Sequence, residues 1–147
     1  VLVIIFFGFV PVGGTYYVQA LTWTPDVTIA SIICGLLIDT LLVVNNYRDR
    51  EADARSGKRT VIVRFGEKFG CYFYLLLGIS ASLLCLYFLR EGHIYAALLP
   101  QLYLVPHVLT WRRMVKIHSG KKLNSILGET SRNMLFMGIL LAIGMIL

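Results

Sequence analysis

Five apolar runs, each close to the length needed to cross a lipid bilayer, set the limits on what this chain can become. A hydrocarbon core of about 30 Å takes about 20 apolar residues wound as a helix. Such runs occupy residues 1–19, 27–53 (apolar as far as Val44), 71–89, 94–111 and 125–147. Composition agrees: only 15% of residues are charged and 57% are hydrophobic, whereas a soluble domain carries about 25% charged residues. The expectation is an all-α, polytopic transmembrane bundle with about five spans, forming one membrane domain over residues 1–147. The chain opens without Met inside one apolar run and stops inside another. A piece of a longer protein is therefore expected, and the lack of a signal peptide carries no weight.

The charges sort by loop. Of the 14 Lys and Arg, seven lie between Arg48 and Lys68 and five between Arg112 and Lys122. Alternate helices place both loops on one side of the membrane, and the excess of cations makes that side the cytoplasm. Read this way, the net charge of +6 reports topology, and no nucleic-acid partner is expected. Cys34, Cys71 and Cys85 lie in or beside apolar runs without metal-ligand spacing, so they read as packing residues.

Along the chain, Tyr16, Tyr17 and Trp23 suit an aromatic belt at an interface. Thr24-Pro25-Asp26 opens the second helix with an N-cap, a proline at the first helical position and an acid near the positive end of the dipole. Inside that helix lies Asp39, whose charge would cost about 2.5–3.5 kcal/mol at the bilayer centre, so it is expected to face the bundle. At about 100° per residue, Asn46 falls roughly 20° from Asp39, Asp53 roughly 40° and Asp49 roughly 80°. Gly57 marks the helix stop, and Thr60 to Gly66 is too short to span and belongs at the membrane surface. Pro100 and Pro106 each remove a backbone donor from the fourth run. His107 reads as a hydrogen-bonded interior or interface histidine in preference to a base. Asn124 is placed to cap the last helix, and Glu129 is spaced to pair with Arg132.

Nearly all the chemistry sits in one string, N-N-Y-R-D-R-E-A-D-A-R-S-G-K-R-T, from Asn45 to Thr60. Asp49 and Asp53 are four apart, so both carboxylates share a helix face, and Asn45 extends the ladder by a turn. Oxygen ligands at this density suit Mg²⁺, which keeps waters and is completed by substrate phosphate oxygens. Lys58 and Arg59 follow, ready for anionic oxygens. The competing account is a solvated helix end, because Arg48, Arg50 and Arg55 interleave the acids and can neutralise them.

The string resembles the second Asp-rich motif of the UbiA-type membrane prenyltransferases, above all the branch that prenylates 1,4-dihydroxy-2-naphthoate for menaquinone. Phe6 to Gln19, with its F-F-G-x-x-x-V-x-G-T-Y-Y-V-Q pattern, and Leu123 to Thr130, with L-N-x-x-L-x-x-T, resemble the same branch. The resemblance implies a bundle of nine helices of which this chain supplies the last five or so, the C-terminal portion. A first Asp-rich motif, N-D-x-x-D-x-x-x-D, is not in the sequence. Asp49 and Asp53 would be the catalytic carboxylates that ligate Mg²⁺; Asn45, Asn46, Lys58 and Arg59 would bind the diphosphate. The implied reaction moves a polyprenyl group from polyprenyl diphosphate to 1,4-dihydroxy-2-naphthoate with loss of CO₂, giving demethylmenaquinol, in the bacterial cytoplasmic (inner) membrane. The fragment alone would be inactive. Two other readings stay open: an enzyme of the same superfamily acting on 4-hydroxybenzoate, haem or a chlorophyllide, and, in a different class, an ion-coupled transporter using Asp39 with the Asp49/Asp53 pair.

Overall fold

A computed structural model describes residues 2–147; Val1, where the first expected span begins, lies outside the described residues. Every regular element among them is helical. In order they are α1 (Leu2–Ala20), α2 (Pro25–Arg55), α3 (Val61–Phe65), α4 (Glu67–Leu89), α5 (Ile94–Leu98), α6 (Leu104–Ile117) and α7 (Leu123–Ile146). Four of these, α1, α2, α4 and α7, are long and apolar enough to cross a membrane. The fifth expected run is a composite, in which a 3₁₀ stretch at Leu99–Tyr103 joins α5 to α6.

Proline accounts for two of the three departures from regular α-helix; the third, a 3₁₀ stretch at Cys85–Leu89 that ends α4, contains none. Pro100 has no N–H, and the chain tightens into the 3₁₀ turn around it. The Gln101 side chain repairs the ladder: its Nε2 donates to the Ala97 carbonyl at 2.8 Å and, across to α4, to the Ser82 carbonyl at 2.9 Å. Ser82 Oγ returns a bond to Gln101 Oε1 at 2.7 Å. In α1 the turns from Ile5 to Gly13 widen into a π-helix with Pro11 inside. Pro11 cannot donate to the Phe7 carbonyl four residues back, and that oxygen accepts the Cys34 thiol of α2 at 3.4 Å.

The long helix α2 is the hub, packing on α1, α3, α4 and α7. Thr24 caps it, accepting from the Val27 N–H at 3.4 Å, with Pro25 at its first turn, as the sequence predicts. Its 31 residues reach about 46 Å at 1.5 Å per residue, so it outruns a bilayer core and carries its last turns beyond the apolar part. Ile33, Leu37, Thr40, Val44 and Tyr47 form its buried stripe. Two clusters lie along this stripe. Leu37 and Ile33 meet Ala81, Phe88, Ala97, Tyr103 and Met137, and Val44 and Tyr47 meet Ile62, Tyr74, Met114, Leu123 and Ile126.

His107, expected in the interior or at an interface, lies in the interior. It is fully buried, stacked on Tyr74 and Tyr103 at centroid distances of 4.6 and 5.0 Å. Nδ1 lies 2.9 Å from the Tyr103 hydroxyl and Nε2 lies 3.3 Å from the Leu75 carbonyl. The carbonyl only accepts, so Nε2 carries the proton and the hydroxyl donates to Nδ1. Gly78 makes room for the ring: a Cβ there would collide with His107 Nε2.

Candidate functional site

The acidic string lies on the last three turns of α2 and the connection to α3. Ser56 ends the helix and Gly57, at φ +76°, turns the chain out of it; only a residue without Cβ takes that conformation at no cost. Thr60 then caps α3 by accepting from the Val63 N–H at 3.3 Å. The short α3 buries Ile62 against α2 and α4, and so holds Lys58 and Arg59 close to the end of α2.

Arg48 organises the site. Its Nε and Nη2 clamp both oxygens of Asp49 at 2.7 and 2.6 Å. Nη2 also donates to Asn45 Oδ1 at 2.8 Å, and Nη1 to Asn124 Oδ1, on the first turn of α7, at 3.1 Å. Asn45 and Asp49 are thus brought together on one cationic nitrogen. Asp53 belongs to a separate pair: its side chain is 12% exposed and its oxygens lie 3.3 and 3.5 Å from Lys58 Nζ, which is 61% exposed. Asn46 is half-buried and Arg59 exposed, and neither makes a side-chain hydrogen bond among the described residues. Asp39 is half-buried on the same face of α2 as Asn46, Asp49 and Asp53, roughly opposite the stripe from Ile33 to Tyr47. It has no hydrogen-bond or ion-pair partner among the described residues.

Beside this site stands a second polar cluster that the sequence does not announce. Glu67, at the start of α4, accepts from the Tyr47 hydroxyl at 2.8 Å and from Arg50 Nη2 at 3.3 Å, and lies 3.1 Å from His118 Nε2. The Arg50 guanidinium lies over the Tyr47 ring at 4.6 Å. Arg50 is therefore engaged with Glu67, leaving Arg48 as the cation on Asp49. Together with the Arg48–Asn124 bond, this cluster brings the two basic loops to one end of the bundle.

Two expectations for the last helix are corrected. α7 starts at Leu123 with no side-chain cap; Asn124 lies inside its first turn and gives its amide oxygen to Arg48, an ionic partner better than its own backbone. Glu129 pairs with Arg113 Nη1 at 2.6 Å, not with Arg132, and accepts from the Thr110 hydroxyl at 3.3 Å. Asn133 Nδ2 donates to the same hydroxyl at 2.9 Å, so α6 and α7 are tied by a polar network that outcompetes the exposed pairing along one helix.

Toward the membrane, α1, α2 and α7 frame an apolar groove of about 580 Å³, lined by Ile33, Leu37, Ile38, Met134, Leu135 and Ile139 among others. At the polar end the donors are all oxygens. Because Asn45 Oδ1 and Asp49 Oδ2 already converge on the positive Arg48 Nη2, the guanidinium stands in for a cation there. A hard divalent ion asks for that same convergence of oxygens. Among the described residues no three or more His, Cys, Asp or Glu side chains gather as a metal cage; what the chain offers is the one or two carboxylates that Mg²⁺ uses when water and phosphate oxygens complete its shell. The residues fit that ion.

The model of the UbiA prenyltransferase family matches residues 1–139. A 1,4-dihydroxy-2-naphthoate octaprenyltransferase of Haemophilus influenzae is 41% identical over 83 residues, which are 56% of this chain and 27% of that protein. The protein of the same description from Escherichia coli is 39% identical over 84 residues, 57% of this chain and 27% of its own length. One from Mycobacterium leprae is 37% identical over 84 residues, 57% and 29% respectively. The matched stretch thus spans little more than a quarter of these relatives. No solved structure matches the chain.

Proposed function

This chain belongs to the UbiA prenyltransferase family, and from that membership we propose that the full-length protein transfers a polyprenyl group from polyprenyl diphosphate to 1,4-dihydroxy-2-naphthoate, with loss of CO₂, in menaquinone biosynthesis. The observation that carries the reading is the convergence of Asn45 and Asp49 on a cation at the polar end of α2, with Asp53 and Lys58 one turn further on. The names of the relatives supply the acceptor.

In this reading Asp49 and Asp53 hold Mg²⁺, with Asn45 and Asn46 supporting the metal and the diphosphate. When bound there, the ion would supply positive charge against the diphosphate, whose charge grows as the allylic C–O bond breaks. Lys58 and Arg59 do the same from the protein side: Lys58 is mostly exposed and Arg59 is exposed, so both can turn to phosphate oxygens. The apolar groove between α1, α2 and α7 takes isoprenoid units from the bilayer, and its dry walls limit water around the reacting carbon. The end carrying both basic loops faces the cytoplasm, by the excess of cations there, and the membrane is the bacterial inner membrane.

The test is product analysis with the full-length protein in membranes, supplied with a polyprenyl diphosphate, Mg²⁺ and 1,4-dihydroxy-2-naphthoate. Demethylmenaquinol and CO₂ are expected. Prenylated 4-hydroxybenzoate or a prenylated tetrapyrrole, in place of the naphthoquinol, would overturn the assignment of acceptor.

A further inference from the structure

Arg48 spends its guanidinium entirely inside the site. Three of its bonds go to Asn45 and Asp49, and the fourth crosses to Asn124, 76 residues away on α7. A surface arginine that merely lowered the charge of a helix end would need only one of these. The bidentate clamp on Asp49 is the tightest arrangement that guanidinium and carboxylate can make, and it uses both oxygens that a metal would take. Arg48 and Asp49 are partly solvent-exposed, at 27% and 38%, so the clamp can open without breaking the packed stripe of α2.

Resting on the metal reading above, we propose that Arg48 is a resident counter-ion that closes the Asn45/Asp49 site in the empty protein and is displaced when a divalent cation binds. Asn124 holds the closed position from α7. Displacement frees the guanidinium, which stays within a side chain's length of the site and becomes a further donor for diphosphate oxygens. Arg48 thereby links occupancy of the site to the tie between α2 and the first turn of α7. In the empty protein it sets how readily Asp49 and Asn45 accept the cation.

The direct test is Mn²⁺ binding to the purified full-length protein without substrate, followed by the EPR signal of free Mn²⁺, with the Asp49-dependent component defined by Asp49→Ala. Arg48→Gln removes the competing charge and is expected to tighten that component about tenfold, the factor equal to about 1.4 kcal/mol. Arg48→Lys keeps a cation between the same oxygens and is expected to stay within about threefold of the wild type, since a point charge still competes. Asn124→Ala leaves the charge of the site unchanged and releases one arm of the clamp; a tightening of about threefold is expected. This variant keeps the test alive if Arg48→Gln fails to fold. Binding that is lost in Asp49→Ala yet no tighter in Arg48→Gln or Asn124→Ala would overturn the counter-ion role alone. Binding that is unchanged in Asp49→Ala would overturn the metal reading and this inference with it.

Discussion

Replacing His107 by Ala in α6 should destabilise the bundle, and a methyl group at Gly78 should partly rescue it. The ring is fully buried and stacked on two tyrosines, and it accepts from the Tyr103 hydroxyl. Deleting it orphans that hydroxyl, at about 0.6–1.7 kcal/mol for a hydrogen bond inside a membrane protein. It also opens a void of the kind that costs about 3 kcal/mol or more when an aromatic side chain is cut to Ala. The sum is about 4–5 kcal/mol or more. Gly78→Ala alone drives its new Cβ onto the imidazole, an overpacking worth about 1–3 kcal/mol. In the double variant the same methyl lands in the space the ring has left. The double should therefore cost less than the sum of the singles by about 1 kcal/mol or more, within the range for contacting residues. Reversible unfolding of the full-length protein in mixed micelles, followed by tryptophan fluorescence, measures all four corners of the cycle. Additivity within about 0.5 kcal/mol would show that the ring does not sit against Gly78.

Gln101→Leu removes the side chain that bridges α4 to the 3₁₀ turn through Ser82; with about 0.6 kcal/mol per interhelical bond, a loss of about 1 kcal/mol is expected in the same assay, and Ser82→Ala added to it should cost little more. A cysteine in place of Arg55 and another in place of Ser119 should both react with an impermeant thiol reagent from the same side of a sealed vesicle, because the Arg50–Glu67–His118 cluster joins their loops. Labelling from opposite sides would break the topology.

The helices were legible because apolar runs of membrane length leave the backbone only one way to satisfy its hydrogen bonds. The N-cap at Thr24 and the stop at Gly57 follow from local rules, which leave His107 either inside the bundle or at an interface. What stayed hidden depends on residues far apart in sequence. Arg48 reads from the string alone as one of three cations relieving a crowded helix end, and its clamp becomes visible only when α7 delivers Asn124 to it. By spacing, Asn124 looked like a cap and Glu129 like the partner of Arg132. In each case a charge from another segment, Arg48 or Arg113, offered a stronger bond than the local one. Nothing in the spacing of Glu67 signals that Tyr47, Arg50 and His118 meet on it. The composite form of residues 94–117 was half legible: the prolines announce a break, but the repair by Gln101 requires knowing that Ser82 lies across from it.

In the proposed function the carboxylates at the polar end of α2 bind the metal that serves prenyl transfer, a role open to direct measurement. It is tested most directly by Asp49→Ala and Asp53→Ala in the full-length protein, assayed in membranes for transfer to 1,4-dihydroxy-2-naphthoate across a Mg²⁺ titration, with the amount of inserted protein measured alongside. Neither side chain contributes to the apolar clusters that hold the helices, so insertion should be unchanged while activity falls by about 100-fold or more, the scale expected for losing a group that stabilises developing charge. Near-normal turnover by either variant at low Mg²⁺ would rule that carboxylate out as a metal ligand and return it to the role of a salt-bridged helix end.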